Sequence, residues 1–131
     1  MRSAGAVDYR LVQACAASAG GAVDPADPLL YQSGGEQYRG VDFKDYVSQI
    51  DACDGASFDL VVVDGRARPS CIMHSAGKVK VGGILLLDDA DRPYYTQKTA
   101  WYLRNYRCLS FSGYGPNLPQ TWATSIYLRE R

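Results

Sequence analysis

Two apolar runs, each closed by an acid, organise the pattern of this chain: Phe58-Asp-Leu-Val-Val-Val-Asp64 and Gly83-Ile-Leu-Leu-Leu-Asp88-Asp89. Runs that are apolar at successive positions, without alternation, mark strands buried on both faces of a sheet. A helix-length segment lies between them. Pro69 suits its first turn, and Ile72, Ala76 and Val79 fall on one stripe. The order predicts a β-α-β unit with parallel strands over 58–64 and 83–88. Their acids then sit at the carboxyl ends, the edge at which open α/β sheets bind ligands.

The flanks extend this unit. Phe43, Tyr46, Val47 and Ile50 repeat at helical spacing behind Asp42, a suitable N-cap, so a short amphipathic helix is expected there. Asp54-Gly55 turns the chain into the first strand, and Gly82-Gly83 ends the connection before the second. Pro93 opens a third helix, with Thr99, Tyr102, Leu103 and Tyr106 on one face. Cys108–Ser112 and Trp122–Leu128 read as strands. Only the loop Gly113–Gln120 separates them, so they should pair as an antiparallel hairpin. Residues 1–40 are punctuated by Asp24-Pro25, Asp27-Pro28 and Ser33-Gly34-Gly35, with Tyr9–Ala17 reading as either a strand or a short helix. The expected organisation is an extended or irregular amino-terminal arm over 1–40 and an α/β half-domain over 41–131.

At 131 residues the chain is one domain at most. Its 14 Lys and Arg balance 14 Asp and Glu, so no basic excess drives binding to nucleic acid or anionic membrane. Zero net charge also withholds colloidal protection, which favours association with a partner. The apolar stretches at 60–63 and 84–87 are far too short to span a bilayer, and no targeting segment is recognisable. A soluble or peripheral protein is expected. Four cysteines at wide spacings, with no C-x-x-C, read as small buried or half-buried thiols rather than a zinc or redox site.

The segment FDLVVVDGRARPSCIMHSAGKVKVGGILLLDDADRPYY, Phe58 to Tyr95, resembles the carboxyl-terminal half of a class I S-adenosylmethionine-dependent methyltransferase. There a "fDlvfvDg" strand is followed by a helix, by "l(k)pGGilvlDn" and by another helix; Val81 stands here where the family usually has proline. The resemblance covers about residues 41–128. It implies a truncated Rossmann-like, three-layer α/β sheet, with helices on both faces and family strand order 3-2-1-4-5-7-6. The family's Gly-rich cofactor loop and the ribose-binding acid have no counterpart before Asp42. Gly20-Gly21 and Gly34-Gly35 are not framed by a strand and a helix. The chain is therefore expected to begin after the second strand of that fold.

In the metal-dependent O-methyltransferases of this family, strand-end acids hold a divalent cation that acidifies the substrate hydroxyl. The resemblance carries this role to Asp64 and Asp88, with Asp89 in place of the usual asparagine; oxygen ligands of this kind suit Mg²⁺ or Ca²⁺. The competing reading pairs the three acids with Arg66, Arg68 or Arg92. Arg66 and Arg68 are also candidate contacts for an anion, and His74 is the chain's only histidine. The expectation is a non-catalytic, methyltransferase-like structural or accessory subunit, binding no cofactor by itself. Its partners are other protein chains that cover the 1–40 arm and the edge of strand 58–64, because an apolar edge strand left bare invites association. Residues 9–17, a second copy or another protein would each serve as the cover. The alternative is a methyltransferase whose S-adenosylmethionine-binding half is missing or lies on another chain.

Overall fold

The computed structural model describes residues 7–18, 20–115 and 119–131. In chain order the regular elements are β1 (Cys15–Ala16), β2 (Val41–Asp42), α1 (Lys44–Val47), β3 (Phe58–Val63), α2 (Arg68–Ser75), β4 (Val79–Leu87), α3 (Tyr94–Gln97), β5 (Tyr106–Tyr114) and β6 (Thr121–Arg129). The fold is mixed α/β. Strands β1 and β2 form a small antiparallel ladder, and the other four make one mixed sheet of order β3-β4-β6-β5. Strands β3 and β4 are parallel, β6 is antiparallel to β4, and β5 and β6 form the carboxyl-terminal hairpin.

Strand alternation places Val61, Val63, Leu85 and Leu87 on one face of the sheet. Helix α2 lays Ile72 on that face, and Tyr95 and Leu103 from α3 and the turns after it complete the core. Ile72, Val79, Leu85 and Leu87 are fully buried there. A second cluster, Phe43, Val47 and Ala67, ties α1, which runs on into a 3₁₀ turn (Ser48–Ala52), to the start of α2.

Several expectations change: the third helix is only α3, with Thr99, Tyr102 and Leu103 in the turns after it and Tyr106 in β5. Helix α2 ends at Ser75, so Val79 belongs to β4 rather than to the helical stripe. The Arg129 guanidinium donates to the carbonyls of Gly77 and Val79, which anchors this junction in the sheet. Gly82 and Gly83 do not open the strand but lie within it. Phe58 pairs with Val79 and Leu60 with Ile84, so the glycines absorb an irregularity in register. A Cβ on Gly83 would come 2.9 Å from the Asp59 carbonyl oxygen, which explains the need for glycine. Finally, among the described residues the helices lie on one face of the sheet only. The result is two layers rather than three, because no described segment carries an apolar stripe across the second face.

The amino-terminal segment is irregular, as its punctuation predicts, but much of it packs. Ala26 is buried, Ser70 Oγ donates to the Pro28 carbonyl at 2.8 Å, and Lys98 pairs with Asp24 at 2.6 Å. Contact with the domain therefore starts before residue 41, where the sequence set the boundary.

The turn before β3 carries avoidable strain. Ala56 is exposed and holds φ at 48°, a left-handed conformation costing an L-residue about 1–2 kcal/mol. Glycine removes that cost at an entropic penalty of about 0.5–1 kcal/mol. Ala56→Gly is expected to stabilise the fold by about 0.5–1 kcal/mol. A lower melting temperature in calorimetry would refute this account of the turn.

Candidate functional site

The parallel pair delivers its acids to one end of the sheet, where the Asp88 amide donates to the Val63 carbonyl at 3.1 Å. Two non-glycine residues there are left-handed, Ala67 with φ 47° and Asp89 with φ 48°. Ala67 is the N-cap of α2, so its turn directs the next residue, Arg68, into the interior. Only 5% of the Arg68 side chain is exposed.

Arg68 Nη2 lies 3.0 Å from Asp64 Oδ1 and 3.0 Å from Asp89 Oδ2. Its Nη1 donates to the Tyr95 hydroxyl at 2.6 Å, and the guanidinium lies 5.0 Å from the Tyr95 ring centre. Arg92 Nη1 donates to the same hydroxyl at 3.0 Å. Burial opposes the charge on Arg68, but Tyr95 and the two carboxylates outweigh it and raise the guanidinium's pKa. The Nε of Arg68 has no partner among the described residues.

The three acids read as a ligand set are thus divided. Asp64 and Asp89 share one guanidinium, while Asp88 accepts a hydrogen bond from Thr124 Oγ1 at 3.0 Å. Among the described residues, no group of three or more His, Cys, Asp or Glu side chains is arranged to hold a metal. The cation that relieves the repulsion between these carboxylates is Arg68 itself. Arg66 stands apart, exposed and stacked over the Tyr38 ring at 4.5 Å, so it does not form a fork with Arg68.

Sequence reasoning missed a second polar cluster. His74 Nδ1 lies 2.8 Å from Asp51 Oδ1, and its Nε2 lies 3.2 Å from the Tyr31 hydroxyl. Tyr31 itself is left-handed, with φ 53°. Burial, then the charges of Asp51 and Asp42, push the phenol above its ordinary pKa, which disfavours its use as an ionised nucleophile. The relay pins the amino-terminal segment and the 3₁₀ turn to α2. Its members come from three distant segments, so no spacing in the sequence announces it.

The free edge of β3 is the other prominent feature. Among the described residues, strand β3 pairs only with β4, and residues 9–17 do not reach its far side: Cys15 and Ala16 pair with β2, and Tyr9 and Leu11 are exposed. Beside that edge, beneath α1 and the 3₁₀ turn, lies a groove of about 210 Å³ walled by Tyr46, Ile50, Val61, Val63 and Cys71. Ser75 also lines it, and its buried hydroxyl has no partner among the described residues. Burial pushes the Cys71 thiol up to about 12, so it stays protonated and packs as a small apolar group. Cys53 and Cys71 are half-buried, whereas Cys15 and Cys108, expected as buried or half-buried thiols, are exposed.

No family model matches the chain, and no curated protein matches it. Among the described residues, no helix is long and apolar enough to cross a membrane.

Proposed function

We propose that this chain is a non-catalytic, methyltransferase-like structural or accessory subunit of a larger protein assembly, engaged along the free edge of β3. The observation that carries the reading is the edge itself. Among the described residues nothing pairs with its backbone groups on one side, Leu60 and Val62 are about half exposed on one face, and the apolar groove opens on the other. An extended segment, apolar on both sides, would complete the ladder and place alternate side chains in that groove. The strand order β3-β4-β6-β5 corresponds to 4-5-7-6 of the resembled family, which supports the ancestry. The use of Asp64 and Asp89 to hold Arg68 supports a structural role for the former ligand edge.

The second reading is an S-adenosylmethionine-dependent methyltransferase whose cofactor-binding half another chain supplies. It draws on the same strand order and on acids at neighbouring strand ends. Titration calorimetry of the chain alone separates the two. The expected outcome is no saturable heat with S-adenosylmethionine and no rise in melting temperature with Mg²⁺ or Ca²⁺. Micromolar cofactor binding would overturn the structural reading. A metal-dependent rise would return Asp64, Asp88 and Asp89 to the role of ligands.

A further inference from the structure

Cys71 and Ser75 lie four residues apart on α2, so they share a face, one step round the helix from the buried Ile72 and Ala76. That face overhangs the edge of β3, where among the described residues no strand lies beneath it. Val61 and Val63 close the resulting groove on the strand side, and Tyr46 and Ile50 roof it. Gly65 leaves room for this roof, since a Cβ there would come 2.5 Å from the Tyr46 hydroxyl. Ser75 is 2% exposed, and its hydroxyl has no partner among the described residues. Other polar groups along the groove are already engaged: Gln49 Nε2 donates to the Asp45 carbonyl at 2.9 Å, and Asp64 is held by Arg68 at 3.0 Å. A water over Ser75 would find one polar partner where ordered water takes about 2–4.

We propose that this groove binds a small neutral alcohol, a compact aliphatic body of about one ring whose hydroxyl pairs with Ser75 Oγ. Size sets the first part. The groove holds about 210 Å³, more than the roughly 150 Å³ in which an apolar cavity takes up benzene, and less than the roughly 300 Å³ at which drug-sized sites begin. Polarity sets the second part. A serine hydroxyl both donates and accepts, and another hydroxyl matches it in either sense. The surroundings exclude charge. Burial pushes the Cys71 thiol up to about 12 and raises the Tyr46 phenol as well, so the groove disfavours ionised groups. A carboxylate or ammonium on the ligand would meet the same penalty. Mostly apolar walls with one convergent polar group are the usual make-up of a small-ligand site.

This site uses the groove and needs nothing paired along the edge of β3, so it goes beyond the proposed function and does not depend on it. The test is a nuclear magnetic resonance titration of the full chain and of Ser75→Ala with cyclohexanol, toluene and cyclohexanecarboxylate at millimolar concentrations. Cyclohexanol is expected to give saturable shifts at the amides of Tyr46, Val61, Cys71 and Ser75, and the carboxylate none. Ser75→Ala should weaken cyclohexanol about fivefold, the worth of one net hydrogen bond, while toluene binds the variant at least as well as the wild type. The melting temperature of Ser75→Ala should not fall, because no partner loses a bond. Equal cyclohexanol affinity for both proteins would overturn the proposal, as would a loss that toluene shares. A lower melting temperature would show the hydroxyl bonded within its own helix, with the same consequence. Shifts that never saturate, or that spread over the whole sheet, would mean adventitious partition only and would also overturn it.

Discussion

Arg68→Ala is expected to lower the free energy of unfolding by about 2–4 kcal/mol, the largest loss from any charged side chain described here. Removing one partner of a buried ion pair typically costs about 3–5 kcal/mol, because the remaining charge stays desolvated. Here the value is reduced because Asp64 is 60% exposed and water takes over its solvation, whereas Asp89 is only 17% exposed. Loss of the packed aliphatic stem and of the contact with Tyr95 adds to the deficit. Arg68→Lys should recover only part of it. An ammonium is a point charge and does not reproduce the planar fork that reaches Asp64, Asp89 and Tyr95 together. Urea unfolding of the three proteins measures the effect, and a loss below about 1 kcal/mol for alanine would show that the guanidinium does not organise this end of the sheet.

Leu85 and Leu86 are neighbours in β4, yet their truncation should not cost the same. Leu85 is fully buried between sheet and helices, and Leu85→Ala is expected to cost about 3–5 kcal/mol in transfer and cavity terms. Leu86 points to the uncovered face. Leu86→Ala should cost about 1–2 kcal/mol, because its side chain is only partly buried and its loss leaves no enclosed cavity. Urea unfolding of the two variants measures the difference. Equal losses would mean that the second face is packed.

The contrast between these two leucines shows where legibility stopped. The run Ile84–Leu87 has no alternation, so from sequence it reads as a strand covered on both sides. The structure keeps the strand and covers one side. Likewise, the acids at 64, 88 and 89 were legible as strand-end residues, but not their partner. Arg68 reaches Asp64 and Asp89 only because Ala67 turns left-handed and directs α2 inward. The Asp51–His74–Tyr31 relay had no signal at all, since each member belongs to a different segment and each is ordinary on its own.

Periodicity and punctuation determined the elements of this protein: two apolar strands around a helix, a hairpin at the carboxyl end, and an irregular approach to them. These follow from local physics, in which side-chain spacing, proline and glycine act within a few residues. Only the tertiary structure decided that the sheet is covered on one face, that Gly82 and Gly83 lie inside a strand, and that a buried guanidinium rather than open space separates Asp64 from Asp89. Burial and charge pairing depend on which distant segments meet. That information resides in packing, and no window of the sequence contains it.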